Sequence, residues 1–367
     1  QAIIGSGITA FLSVYLVRLG ASDMLVGLLT SLPALVMTIM ALPAAAFIQR
    51  KGDLVKAVNS GRSFFRFGLS TFAVLPYIST LISPYLLVFG RSLLSCASAV
   101  GNVSVTTILG AATAEKRRAN MLSMRLAING LSAAVVGFLA GQWLNWAPYP
   151  INYSLLFGFA IVPAIFGNLN MKRLKISASA LPQEKSKQRL NFSGMMALVK
   201  EAPAFRKYAI LVLIFRLSLQ MPAALYSIYR VREVGASDAW IGIILTVQQL
   251  FSTLSYFGLS RLLRRQSIRR WLWLTCVATM LYPILTALAT TPPQLLASAV
   301  AGGIFNSGFN IFLTETLYRV SPKEQRPPFA AANAMINNIC AFVGPLLGTA
   351  ISGLVGIQAA LWIIGGF

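Results

Sequence analysis

What most constrains this chain is a succession of long, almost unbroken apolar runs. They include Met24–Ile48, Phe72–Leu87, Leu131–Leu144, Leu155–Leu169, Ile210–Ala224 and Trp271–Ala289. A helix needs about 20 largely apolar residues to cross the hydrocarbon core of a bilayer. No water reaches the backbone there, so such runs fold as helices whose hydrogen bonds close internally. The period-2 alternation of a membrane β-barrel is absent. Composition agrees: 56% of residues are hydrophobic, only 11% are charged, and the mean hydropathy is +0.71. A soluble domain carries about 25% charged residues, so this chain cannot cover a water-facing surface. The expected fold class is an all-α membrane protein.

Twelve membrane-spanning helices are expected, near residues 1–19, 23–48, 56–80, 84–112, 120–144, 150–170, 207–229, 239–263, 268–289, 294–318, 328–353 and 356–367. The chain starts and stops inside apolar segments, so the terminal helices are expected to be truncated. The net charge is +22. Nucleic acid is one partner such a charge suggests, but the basic residues alternate with the spans. They gather at Arg50–Arg66, Lys116–Arg125, Lys172–Lys207, Arg261–Arg270 and Arg319–Arg326, all on one side of the layout. The other side holds Arg18, Arg230 and Arg232, while Arg91 and Arg216 lie within apolar segments. By the positive-inside rule the basic side is cytoplasmic, as are both termini. Trp143, Trp146, Tyr149 and Tyr153 suit an interfacial belt on the opposite side. The expected partners are a bilayer and a small solute, with no nucleic acid. The expected location is a plasma membrane, of bacterial type, in a monomeric multi-pass protein.

The sequence contains no histidine, and Cys96, Cys276 and Cys340 all lie in apolar runs without disulfide or metal spacing. No cofactor, no metal site and no nucleophile–base constellation is expected, so an enzyme is disfavoured. The longest hydrophilic stretch, rich in Lys, Gln and Ser, lies between the sixth and seventh spans. It divides the chain into an N-terminal half (1–170), a cytoplasmic linker (171–206) and a C-terminal half (207–367).

The halves resemble each other. Gly20-Ala21-Ser22-Asp23 recurs as Gly235-Ala236-Ser237-Asp238, and Gly27 matches Gly242. With one inserted residue, Tyr15, Val17 and Arg18 match Tyr229, Val231 and Arg232. Further on, Glu115, Arg117 and Asn129 match Glu324, Arg326 and Asn338 at a constant spacing. Both matches place span one on span seven and span five on span eleven. Parallel repeats of six spans are a transporter architecture with the substrate site between the halves.

The chain resembles the major facilitator superfamily (MFS). Its 6 + 6 plan, repeat, central linker and basic turns after spans two and eight carry the resemblance, which extends over essentially the whole chain. The family's span 2–3 pattern, G-x-x-x-D-R-x-G-R-[RK], is met in part. Residues Ala45–Asp53 read AAFIQRKGD, where Arg50 and Gly52 match but Gln49 stands for the aspartate. The resemblance implies a gating role for Arg50. Arg91, in GRSLLSCASAVG, is similar to a span-four arginine that the family associates with proton coupling. Gly137–Gly141 has the glycine spacing of the antiporter signature without its proline, and Gly344-Pro345-Leu346-Leu347-Gly348 resembles that signature in a different span.

Arg216 lies more than two turns into span seven, where a charge costs roughly 3 kcal/mol or more. Either it faces a watery cavity and binds an anionic or polar group, or it snorkels to the membrane surface. Arg91 is a coupling residue or an anchor on backbone carbonyls. Glu315 is the one acid well within a span; it either carries a proton or pairs with Arg125 at the cytoplasmic gate. Asp23 and Asp238 each open a helix, where Ser or Asp caps free N–H groups. Amides recur on the helices that line the family's cavity: Asn102, Asn129, Gln220, Gln248, Asn306, Asn310 and Asn337. They form a hydrogen-bonding cavity or serve as interhelical glue. The expected function is transport of a small uncharged or anionic solute by alternating access. The alternative is a non-transporting protein of the same fold, a receptor or an assembly factor.

Overall fold

The computed structural model describes residues 3–51, 54–112, 115–172, 202–262, 279–321 and 326–366, and all regular structure among them is helical. A π-helical turn, Ile3–Thr9, leads into α1 (Ala10–Arg18). There follow α2 (Asp23–Lys51), α3 (Leu54–Ser70), α4 (Ser83–Ala112), α5 (Glu115–Trp146), α6 (Ile151–Gly158) and α7 (Ile161–Lys172). After the linker come α8 (Pro203–Gln220), α9 (Ala223–Ile228), α10 (Asp238–Leu262) and α11 (Thr279–Leu288). The chain continues through α12 (Leu295–Val320), α13 (Arg326–Val355) and α14 (Ile357–Gly366). These helices fall on the apolar segments of the sequence. Six among the described residues are long and apolar enough to cross a membrane.

Two expected spans are broken. The segment 150–170 divides into α6 and α7 at Phe159–Ala160, just before Pro163. The segment 207–229 divides at Met221–Pro222. Proline has no N–H, and its ring clashes with the carbonyl four residues back, so the helical ladder is interrupted on its N-terminal side. Residues 173–201, most of the expected linker at 171–206, and the basic segment 263–278 lie outside the described residues.

The chain divides into two compact units. The first comprises Gln1–Glu184 with Ala236–Thr246, and the second Lys185–Gly235 with Val247–Phe367. In the first, α2 and α3 pack on α4, α3 also packs on α7, and the π-helical turn packs on α5. Its core includes Phe11, Tyr15, Leu16 and Phe157, all fully buried. The Tyr15 ring meets Tyr153 at 4.8 Å and Phe157 edge-on at 5.4 Å. In the second unit α8 packs on α13 and α12 around Phe205, Tyr208, Val212, Phe309 and Phe329. Phe205 stands edge-on to Phe329 at 4.6 Å. The Tyr208 hydroxyl lies 3.2 Å from the Leu313 carbonyl and 3.1 Å from Asn333 Oδ1, so this buried polar atom is satisfied.

Large apolar side chains cover the outside as well: Leu93 is 70% exposed, Trp146 80% and Leu354 86%. Water would penalise that surface, whereas lipid does not. The repeated glycines do a backbone job. Gly20 and Gly235 adopt φ of +76° and +64°, a left-handed conformation that a side chain disfavours. At the end of α1, Gly20 N–H bonds Val17 O at 3.0 Å and Ala21 N–H bonds Leu16 O at 3.2 Å, which closes the helix in a Schellman turn.

Candidate functional site

The second unit contains a cavity of about 460 Å³ that gathers Arg216, Gln220, Gln248 and Asn310. Pro222 helps to build it. Beyond the break, α9 and the following turn continue the same wall, so Arg216, Gln220, Ala223, Ser227 and Arg230 line it in succession. Arg216 Nη2 donates to Asn310 Oδ1 at 2.8 Å, and its guanidinium lies 5.6 Å from the Phe309 ring. Arg230 is only 6% exposed; its Nη2 donates to the Tyr282 hydroxyl at 2.8 Å. The guanidinium stands 5.9 Å from the Tyr226 ring, which packs on Tyr282 at 4.2 Å. The Nε atoms of Arg216 and Arg230 are buried and have no hydrogen-bond partner. Two guanidiniums, three amides and two phenols therefore face one space. Such a set can bind a carboxylate, a phosphate or a polyhydroxylated solute through charge-assisted hydrogen bonds.

Arg230, Tyr226 and Tyr282 are additions to the sequence expectation. The span limits place Arg230 in a loop. The signal was present in its spacing from Arg216, four, three, four and three residues at a time through Gln220, Ala223 and Ser227, which is one helix face.

Arg91 lies elsewhere, in a cavity of about 480 Å³ in the first unit, with Arg62, Phe65, Arg66, Thr9 and Ser98. Its Nη1 donates to Ser95 Oγ at 3.1 Å, and its guanidinium lies 5.0 Å from the Phe65 ring. Arg66 Nη1 donates to Pro163 O at 2.8 Å, at the broken start of α7. The remaining expected residues are scattered. Asn129 is exposed on α5 and lines neither cavity. Asn337 on α13 also lines neither; its Oδ1 is buried without a partner. Arg125 is half-buried, close enough to Arg62 for their charges to repel. The side chains of Asn102, Asn306, Glu315 and Arg50 lie outside the described residues.

Asp238 opens its helix as expected, but its carboxylate is engaged elsewhere. Its Oδ1 accepts from Arg18 Nη2 at 3.3 Å and its Oδ2 from the Tyr153 hydroxyl at 3.1 Å. Arg18 Nη2 also donates to Ala236 O at 2.7 Å. The cap falls instead to Ser237, whose Oγ accepts from the Trp240 N–H at 3.4 Å. A carboxylate already engaged by a guanidinium and a phenol has no reason to turn back on its own helix. Close by, Gly141 and Gly242 let two helices touch: a Cβ on Gly141 would lie 2.7 Å from the Gly242 Cα.

A search of curated proteins returned no match to the sequence. Among solved structures the chain is similar to the nucleoside transporter NupG, with a TM-score of 0.72 at 15% identity, covering 100% of this chain and 92% of that one. It is similar to a POT family transporter crystallised with a thioalcohol-conjugated peptide, with a TM-score of 0.71 at 12% identity, covering 100% and 91%. It is also similar to FucP, an MFS transporter in the outward conformation, with a TM-score of 0.60 at 15% identity, covering 99% and 94%. The family model described as Major Facilitator Superfamily matches residues 1–204 and 208–367. With apolar spanning helices, the fold of these transporters and a family match along its length, the chain is a multi-pass membrane protein that belongs to the Major Facilitator Superfamily.

Proposed function

We propose that this protein is a secondary transporter that moves a small uncharged or anionic solute by alternating access. One observation carries the proposal: a polar cavity with Arg216, Arg230 and Asn310 set within an apolar helical unit. A charge in such a place is costly unless it is used or paired, and no carboxylate lines the cavity among the described residues. Arg216 is the anchor for the solute, and Gln220, Gln248 and Asn310 orient it. Asn102, Asn129, Asn306 and Asn337 complete the polar set in this proposal, while Arg91, Glu315, Arg50 and Arg125 serve coupling or gating.

The chain crosses the membrane twelve times in two six-helix halves, 1–170 and 207–367, joined by a cytoplasmic linker at 171–206. Both termini are cytoplasmic, and the protein works as a monomer in a plasma membrane of bacterial type. The solved structures it resembles are a nucleoside transporter, a POT family transporter in complex with a conjugated peptide, and an MFS transporter. That supports a small-molecule solute over a receptor, an assembly factor or an enzyme.

The test is solute uptake by proteoliposomes holding the full chain, with and without a pH gradient, across sugars, nucleosides, peptides and organic anions. Arg216→Ala, with an unchanged elution profile and melting temperature, is expected to weaken solute affinity roughly 10- to 100-fold, the worth of a charge-assisted hydrogen bond of about 1.5–3 kcal/mol. Flux that is unaffected by Arg216→Ala would remove this cavity as the site, and the absence of flux for every solute class would remove transport.

A further inference from the structure

We infer that the cavity of the first unit is a second, separate anion site, built for a polyvalent oxyanion of the phosphomonoester type. It shares no lining residue with the Arg216 cavity and does not rest on transport.

Three arginines, Arg62, Arg66 and Arg91, line one space of about 480 Å³. Among the described residues no carboxylate lines it. The Arg125 charge also acts on Arg62. Arg66 and Arg125 both repel Arg62, and a ligand of charge near minus two offsets that repulsion.

The arginines are seated rather than stray. Arg62 and Arg66 are four residues apart on one face of α3. Two glycines on other helices make room for them. A Cβ on Gly101 would lie 2.8 Å from Arg62 Cγ, and a Cβ on Gly167 would fall on the Arg66 guanidinium. Pro163, whose ring interrupts the ladder at the start of α7, presents the carbonyl that holds Arg66 Nη1 at 2.8 Å. Snorkelling arginines would need none of this. A planar guanidinium binds phosphate oxygens in pairs, and three around one space match the oxygens of a phosphomonoester. The volume exceeds what a bare phosphate fills and is that of a small-molecule pocket. Phe65, 5.0 Å beneath the Arg91 guanidinium, offers an apolar wall for the organic part. The phosphate can belong to a free solute or to a phospholipid headgroup, which share this chemistry.

The experiment uses the full chain in nanodiscs of zwitterionic lipid. Inorganic phosphate and phenyl phosphate are titrated at constant ionic strength, and arginines are footprinted with phenylglyoxal and mapped by mass spectrometry. The expected result is saturable binding that protects Arg62 and Arg66 at least fivefold from the reagent. The Arg62→Gln/Arg66→Gln protein binds at least tenfold more weakly, and the Arg62→Lys/Arg66→Lys protein falls between. A parallel arm replaces the lipid with phosphatidylglycerol. Protection there without added phosphate assigns the site to a headgroup; protection only by the free phosphates assigns it to a solute. Either supports the site. It is overturned if neither free phosphate nor phosphatidylglycerol protects these arginines, or if the double Gln protein binds as tightly as the original. Should the Gln variant fail to fold, the footprint on the unaltered chain decides alone.

Discussion

The two cavities are nearly equal in volume, about 480 and 460 Å³, and each is organised by arginines. They differ in what answers those arginines. In the second unit the partners are side chains: Asn310 for Arg216 and the Tyr282 hydroxyl for Arg230. The Asn310 amide can turn, release the guanidinium and accept a solute in its place. In the first unit Arg66 is held by the main-chain carbonyl of Pro163, and Arg91 by Ser95, whose hydroxyl also donates to the Arg91 carbonyl at 3.0 Å. The Pro163 carbonyl moves only with its helix, and the Ser95 hydroxyl is tied back to its own helix. The first cavity is thus a positive box suited to one kind of charge. The second is an adjustable polar surface, suited to recognising a solute that must later leave.

The largest expected effect tests that distinction directly. Asn310→Ala removes the acceptor of Arg216, whose Nε already lacks a partner. Interhelical hydrogen bonds in membranes average about 0.6 kcal/mol, but this donor is a charge, and the expected loss is about 2 kcal/mol. Ser95→Ala should lose less than about 0.5 kcal/mol, because its hydroxyl is largely engaged with its own helix. Thermal melting of the purified variants in one detergent measures both. Equal losses would erase the contrast between movable and fixed partners.

A second pair of substitutions separates rigid from flexible seating. A Cβ on Gly302 would lie 3.0 Å from the ring of Tyr282, which is backed by Tyr226. A stacked ring cannot yield cheaply, so Gly302→Ala is expected to destabilise by about 1–2 kcal/mol. At Gly167 the obstructed group is the far end of Arg66, which can swing away. Gly167→Ala should leave stability within about 0.5 kcal/mol while weakening phosphate protection of Arg66 roughly tenfold, about 1.4 kcal/mol. Melting curves and the phenylglyoxal footprint distinguish the two outcomes. A large melting shift for Gly167→Ala would mean that Arg66 is a structural strut.

How far these features could be read in the sequence depends on the distance over which their causes act. Apolar length and the repeated Gly-Ala-Ser-Asp are local, and the helices and the left-handed Gly20 and Gly235 follow them. The breaks at Pro163 and Pro222 were not foreseen, because proline in a lipid-facing helix is ambiguous. Pro33, Pro43 and Pro345 lie inside continuous helices, where neighbouring groups satisfy the freed backbone. Charge asymmetry across a membrane places Arg62 and Arg66 on the cytoplasmic side but does not say which way they face. Four of the expected site residues, Arg216, Gln220, Gln248 and Asn310, do meet in one cavity, because a costly buried charge recruits polar neighbours. Asn129 and Asn337, judged by residue type alone, do not join them. The partner of Asp238 is 220 residues away in the chain, beyond the reach of any local pattern.

That last pair supplies the smallest expected effect and a boundary for the contrast. Arg18 and Asp238 form an ion pair whose side chains are 35% and 12% exposed, so solvent screens it from one side. Arg18→Gln is expected to lose only about 0.5 kcal/mol, the ordinary worth of a partly exposed pair. Raising the salt should shrink even that difference. Tyr153→Phe deletes the second donor to the same carboxylate and should lose about 1 kcal/mol at most, with little dependence on salt, since a neutral hydroxyl is the group removed. Melting each variant at low and high salt measures both terms. Charge paired with an acid and partly exposed is thereby expected to matter little for stability, whereas the arginines of the two cavities, whose lining holds no carboxylate among the described residues, are where substitution should be felt. A loss for Arg18→Gln as large as that for Asn310→Ala would show that depth, and not the kind of partner, fails to rank these arginines.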